Sequence, residues 1–278
     1  MTRLETKDHG SIYYEVHGQG QPVLFLHGWS GRHDNFDETV KVLSRETQCI
    51  TMDFRGHGLS MDVNNSHVTI EDLAEDVHAL LKHLDVENVC IVAWSMGVYV
   101  LLSYMHQFGT QRISQCVFVD MTPKTMNDAS WNLGFFQGRY TKEQFELDQI
   151  KMKEDFLDFM VKFALEDDPS MRTMKRTDVE KICQEILSHC HIGCLQSLFI
   201  SMADRDERTR VQELDVPLSY IYAIPGSLMK PELAAYYQNH CPSFQKAYGI
   251  EEASHELILE KPTEFTACIQ EILKGGSE

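Results

Sequence analysis

Positive charge is scarce in these 278 residues: 25 Lys plus Arg stand against 42 Asp plus Glu, a formal net charge of −17. Such a surface repels phosphate, so neither nucleic acid nor an anionic membrane surface is expected as a partner. Long apolar runs are also missing. Stretches such as Val23-Leu24-Phe25-Leu26 are strand-length, far short of the roughly 18 residues a membrane-spanning helix needs. Residues 1–8 lack the apolar segment and small-residue cleavage site of a secretory leader, and a cytoplasmic protein is expected. The eight cysteines are scattered. Among them Cys183, Cys190 and Cys194, with His189 and His191, could be read as a metal cluster, but they match no zinc spacing and fall in a helical apolar periodicity. Reduced thiols used for packing, and no metal, are therefore expected. Gly18-Gln19-Gly20 and Gly56-His57-Gly58 are too short for dinucleotide loops, so no nucleotide or flavin cofactor is implied. Internal repeats and low-complexity tracts are absent from the sequence.

What is present is ordinary globular material, 43% hydrophobic and 24% charged, long enough to bury a large core. Strand patterns at 13–16, 23–26, 48–52, 89–93 and 115–119 alternate with helical ones. Thr69-Ile70-Glu71-Asp72 reads as a capping box opening a helix, whose Ile70, Leu73, Ala74, Val77, Leu80, Leu81 and Leu84 share one face. Strands apolar on both faces belong in a parallel sheet covered by helices. From 122 to about 210 the strand signals vanish and helical periods take over, as in Phe156, Leu157, Phe159, Met160, Phe163 and Ala164. A strand returns at 216–222, a weaker one at 247–250, and a closing helix at 262–273. The expected organisation is an α/β core over 1–121, a helical cap over 122–210 and the rest of the core over 211–278.

The sharpest chemical signal is Ala93-Trp94-Ser95-Met96-Gly97, where an apolar strand runs directly into a helix. A serine on such a strained turn needs small residues two positions before and after it, and Ala93 and Gly97 satisfy that. A chance Ser-x-Gly at a turn would look the same in isolation. Around it stand His27-Gly28-Trp29 after one strand, Asp53-Phe54-Arg55-Gly56-His57-Gly58-Leu59-Ser60 after the next, and the late His255 in a polar loop before the closing helix. With these motifs in this order the chain resembles the α/β-hydrolase fold superfamily over nearly its whole length, most weakly across 122–210. The resemblance implies a mostly parallel central sheet flanked by helices, with a helical cap after the strand ending at Asp120. It implies Ser95 as nucleophile, His255 as base, and the backbone N–H groups of Trp29 and Met96 as an oxyanion hole. His27 and the 55–60 loop become supports of the site. His57 as the base is the sharper alternative, disfavoured because the fold places its base after the last strand.

The acid departs from the commonest family pattern, since Gly226 in Ala223-Ile224-Pro225-Gly226-Ser227 stands where the Asp is usual. An imidazolium needs an anion to orient its ring. Asp120, after the strand that follows the elbow helix, is the expected acid, as in some family members. It could equally cap the Met121-Thr122-Pro123 turn, and Glu232 is the reserve. The insertion is rich in large apolar residues, and Trp131, Phe135, Phe136 and Phe159, with Trp29, are expected to line an apolar pocket above Ser95, although lid aromatics can be plain core. No basic cluster flanks the site motifs, which argues against a phosphorylated substrate.

The expected reaction is hydrolysis of a small to medium apolar carboxylic ester, thioester or lactone through an acyl-enzyme. Two other readings share these atoms. Trp29 and Asp120 are also similar to features of cofactor-independent dioxygenases that cleave 3-hydroxy-4-oxoquinoline rings, and some haloperoxidase-like members carry out perhydrolysis. A non-catalytic ligand-binding protein is the remaining class.

Overall fold

The fold is that of a computed structural model describing residues 2–6, 10–63, 65–167 and 171–275. Residues 1, 7–9, 64, 168–170 and 276–278, among them both ends of the 1–8 segment and a few residues of the expected cap, lie outside the described residues. Among the described residues eight strands form one sheet: β1 (Thr2–Glu5), β2 (Ser11–His17), β3 (Gln21–Leu26), β4 (Thr47–Met52), β5 (Val89–Trp94), β6 (Ile113–Val119), β7 (Leu218–Ile224) and β8 (Phe244–Glu251). Their order is β1-β2-β4-β3-β5-β6-β7-β8. β2 pairs antiparallel with both β1 and β4, and every other pairing is parallel. The mostly parallel sheet follows from its composition, because β5 is buried at every position and can only lie inside a covered sheet.

Alternation along each strand divides the core into two layers. Val23, Phe25, Val92, Val117 and Ile221 turn to the face covered by α1 (Asp37–Leu43) and the C-terminal helix. Leu24, Leu26, Ile91 and Phe118 turn to the face covered by α2 (Ile70–His83) and α3 (Met96–Phe108). Each fully buried aliphatic side chain contributes about 1.5–3 kcal/mol relative to exposure. The capping box at the start of α2 is formed as the sequence suggests, with Thr69 N–H donating to Asp72 Oδ2 at 2.8 Å and Asp72 N–H to Thr69 Oγ1 at 3.3 Å. Neither β1 nor α1 is among the elements expected from sequence: β1 is exposed at three of its four positions and carries no alternation.

Between β6 and β7 the chain leaves the sheet. It forms the single turn α4 (Phe135–Gly138), then α5 (Lys142–Glu154), α6 (Phe156–Asp167), α7 (Arg176–Ser188), α8 (Ile192–Ala203) and α9 (Arg208–Gln212). After β7 come α10 (Leu233–His240), then β8, α11 (Leu257–Glu260) and α12 (Pro262–Gly275). The inserted helices are tied to the core by backbone bonds, Gly58 N–H to His189 O and His191 N–H to Gly56 O, both 2.8 Å. Among the described residues no helix is long and apolar enough to cross a membrane.

Helix α3 lies tight against β3 at Gly97, where a Cβ would meet the carbonyl oxygen of Leu26 at 2.6 Å. Gly97→Ala is therefore expected to destabilise the protein by ~1–3 kcal/mol through overpacking against backbone. Gly275→Ala, with no atom within 4 Å, should leave the thermal midpoint unchanged. Equal midpoints for the two variants would contradict this packing.

Candidate active site

Ser95 joins β5 to α3 with φ 53° and ψ −122°, a conformation that costs an L-residue of order 1–3 kcal/mol and persists only where the surroundings impose it. They do so from both sides. Ser95 N–H donates to Val119 O at 3.1 Å, and Ser95 O accepts from Val98 N–H at 2.9 Å. On the open side, Gly28 lies so near that a Cβ there would meet Ser95 Cβ at 3.0 Å, which brings the 27–31 loop against the serine. Met96 is the first residue of α3. Its N–H has no acceptor one turn back in the helix and shares the positive dipole end.

His255 sits in the loop between β8 and α11 and is buried. Its Nε2 lies 2.9 Å from Ser95 Oγ and its Nδ1 2.8 Å from Asp120 Oδ2. Trp94 Nε1 donates to the His255 carbonyl at 3.1 Å, anchoring the loop to the residue before the serine. Asp120, at the end of β6, is also buried. Its N–H donates to Ile221 O at 2.8 Å, its Oδ1 accepts from Ala223 N–H at 3.3 Å, and its Oδ2 also accepts from the Ser227 hydroxyl. The carboxylate thus faces β7 and His255, away from the 121–123 turn it could have capped. Glu232 is exposed at the start of α10.

Two further histidines brace the 27–31 loop. His27 Nδ1–H donates to Gly28 O at 2.7 Å, and its Nε2 accepts from Phe54 N–H at 3.0 Å. His57 Nδ1–H donates to Arg55 O at 3.2 Å while its Nε2 accepts from Ser30 N–H at 3.3 Å. Each ring accepts through one nitrogen and must be neutral for these bonds to form. Burial, together with the adjacent His57, pushes His27 down to about 3, and burial pushes His57 down to about 4. His57 is engaged on both nitrogens away from Ser95.

Above Ser95 and His255 lies a cavity of about 350 Å³. Its walls are mainly apolar: Trp29, Phe135, Met160, Phe163, Ile182, Ile186, Met202 and Leu228, with Arg32, Asn35, Glu185, His189 and Glu256 as the polar lining. Of the five aromatics expected there, Trp29 and Phe135 line it and three do not. Trp131 packs edge-on to Tyr236 at 4.9 Å, beneath the Arg208 guanidinium, with its Nε1 donating to Lys124 O at 2.8 Å. Phe159 is packed behind Trp29, in a cluster with Phe156, Phe163 and Phe199. Phe136 packs on Tyr140 and Phe163. Phe136 and Phe159 fill the inserted helices' own core, whereas Trp131 packs the insertion against Tyr236 of α10. The sequence reading missed the α7 contribution, Ile182, Cys183 and Ile186, whose helical spacing was a readable signal. What sequence lacks is which face of α7 looks toward Ser95.

Cys190 and Cys194 are buried thiols, pushed by burial up to about 12 and about 11. Among the described residues no group of three His, Cys, Asp or Glu could hold a metal ion.

Comparison with known proteins sets this geometry beside relatives. The family model described as alpha/beta hydrolase fold matches residues 21–262. A non-heme chloroperoxidase of Kitasatospora aureofaciens is 36% identical over 127 residues, 45% of this chain and 46% of that protein, so the matched stretch spans about half of that relative's length. A pimeloyl-[acyl-carrier protein] methyl ester esterase of Vibrio cholerae is 26% identical over 271 residues, 95% of this chain and 97% of the relative. An esterase from Exiguobacterium antarcticum superposes with a TM-score of 0.82 at 21% identity, covering 98% of this chain and 99% of that one. A bromoperoxidase from Bacillus anthracis superposes with a TM-score of 0.81 at 24% identity, covering 95% of each chain. At these identities the superpositions show a shared fold.

The two bracing histidines generate a pH prediction. Unfolded imidazoles protonate near 6.5, whereas the folded His57 and His27 do so only near 4 and 3. Between these values the unfolded chain binds more protons, so stability is full above about pH 6.5 and declines on acidification at up to ~1.4 kcal/mol per pH unit for each histidine. Thermal midpoints between pH 7.5 and 4.5 should fall accordingly, and less steeply in His57→Gln. A slope unaffected by His57→Gln would contradict this origin.

Proposed function

The chain belongs to the alpha/beta hydrolase fold family, and we propose that it hydrolyses carboxylic esters through Ser95, His255 and Asp120. The observation that carries this reading is one buried imidazole whose two nitrogens lie 2.9 Å from Ser95 Oγ and 2.8 Å from Asp120 Oδ2. Such an arrangement lets His255 Nε2 take the hydroxyl proton as Ser95 Oγ attacks the ester carbonyl. Asp120 keeps the proton on Nδ1 and stabilises the imidazolium that forms. The carbonyl oxygen, now an anion, is received by the N–H groups of Trp29 and Met96, each such donor being worth ~2.7–4 kcal/mol in the transition state. His255 then passes its proton to the departing alcohol, leaving an acyl group on Ser95. In the second half the same histidine takes a proton from water, whose oxygen attacks the acyl carbon, and returns it to Ser95 as the acid departs.

The cavity suggests the substrate. Its size suits a small to medium acyl or aryl group, and its methionine, phenylalanine and aliphatic walls suit a neutral one. Thioesters and lactones present the same carbonyl. A second reading is favoured by the relative named as a chloroperoxidase: the acyl-enzyme would be attacked by hydrogen peroxide in place of water, releasing a peracid, with the same three residues in the same roles.

Ser95→Ala is expected to lower kcat/KM on short p-nitrophenyl esters by at least ~10³-fold, with circular dichroism unchanged. A fluorophosphonate should label the native protein once and leave the variant unlabelled. Ester hydrolysis surviving in Ser95→Ala would overturn the proposal. Ring cleavage of a hydroxy-oxoquinoline that survives Ser95→Ala and fails in His255→Ala would favour the dioxygenase chemistry instead.

A further inference from the structure

Asp120 Oδ2 accepts two hydrogen bonds at once, one from His255 Nδ1 at 2.8 Å and one from the Ser227 hydroxyl. Ser227 is 5% exposed, so water does not compete freely for that oxygen. The hydroxyl must be the donor, because an ionised carboxylate only accepts. The Ser227 oxygen in turn accepts from Met229 N–H at 3.3 Å. The turn is held from the inserted helices by Gln137, whose Nε2 donates to Ser227 O at 3.1 Å and whose N–H donates to Leu228 O at 2.9 Å. We propose that Ser227 is a positioning residue of the esterase: its hydroxyl locks the Asp120 carboxylate toward His255 and sets the basicity of the imidazole. The inference rests on the assignment of Asp120 and His255 made above.

The need for such a group follows from where Asp120 stands. It leaves β6 with φ 44°, past the end of the strand, and only one of its two oxygens meets Nδ1. The other anchor, Ala223 N–H on Oδ1 at 3.3 Å, is long and holds the oxygen that does not meet Nδ1. The Ser227 hydroxyl supplies the second restraint on the oxygen that matters. It also withdraws charge from that oxygen, which lessens the pull on the Nδ1 proton and keeps His255 neutral to lower pH.

A hydroxyl is the group this loop can offer without cost. Ser227 belongs to the 223–227 stretch at the end of β7, where the resemblance leads one to look for the acid. A carboxylate at 227 beside Asp120 would place two like charges within contact distance, and both could not remain ionised. With the acid on β6, the β7 loop is best served by a neutral donor, and Ser227 is one.

The test uses the full-length protein, p-nitrophenyl esters and proton NMR. In Ser227→Ala, kcat is expected to fall ~10-fold with KM nearly unchanged, and the acid limb of kcat/KM to move up by about half a pH unit, because the base is now more readily protonated. The downfield Nδ1 proton of His255 should follow the same titration by NMR, independently of turnover. Ser227→Thr, which keeps the hydroxyl, should restore both. Should Ser227→Ala fail to fold, Ser227→Cys, a weaker donor of similar size, is expected to shift the limb in the same direction. A lowered kcat or thermal midpoint with the acid limb and the Nδ1 titration in place would overturn the proposal and leave Ser227 a loop former. Asp120→Asn separates the two levels of argument. If it abolishes hydrolysis while Ser227→Ala leaves the limb unmoved, only the role of Ser227 fails. If it leaves hydrolysis intact, the assignment of Asp120 fails with it.

Discussion

The structure depends on the turn at Ser95. A residue at φ 53° and ψ −122° between a fully buried strand and a buried helix is held only because everything around it is packed to that shape. β3 and α3 approach until only glycine fits at 97, and Gly28 allows the neighbouring loop to close on the serine. From that one constraint the geometry radiates outward. The helix start points at the space above Ser95, β6 delivers Asp120 one strand away, and the loop after β8 reaches back across the strand ends to lay His255 between them.

The inserted helices are part of this frame. Trp29 sends its indole into them, donating to Leu195 O at 2.9 Å and lying against Phe163 and Phe199 at ring distances of 5.8 and 5.4 Å. Its backbone stays in the loop beside Ser95. In the very next residue, Ser30 N–H is held by His57, and the 56–58 segment that carries His57 pairs with the turn between α7 and α8. The loop proposed to receive the oxyanion is therefore seated at two points on the helices that wall the cavity. Substitutions among those helices should be read with that seat in mind, since they touch the site without contacting substrate.

Much of this was legible in the sequence, and the limits have physical reasons. The capping box of α2, the doubly buried β5 and the strand-to-helix step at Ser95 are local patterns, and local patterns survive in one dimension. Asp120 is reached in the sequence only through a gap, since Gly226 carries no charge and another carboxylate at a strand end has to be sought as the expected acid. Ser227 was invisible because its meaning lies in a bond to a residue 107 positions away. Trp131, Phe136 and Phe159 cannot be told from pocket residues by sequence, because aromatic residues in an insertion look alike and only packing tells a wall from a buttress. β1 was missed because an exposed polar edge strand carries no alternation, its existence being decided by its partner β2.

The proposed chemistry requires that Ser95 become covalently acylated during turnover. Rapid mixing of the protein with a slowly hydrolysed p-nitrophenyl ester, followed by acid quench and peptide mass spectrometry, measures this directly. The expected result is a burst of about one p-nitrophenol per chain with the acyl mass on the peptide bearing Ser95. Linear product release with no modified peptide while deacylation is slow, or an acyl mass on another residue, would contradict it.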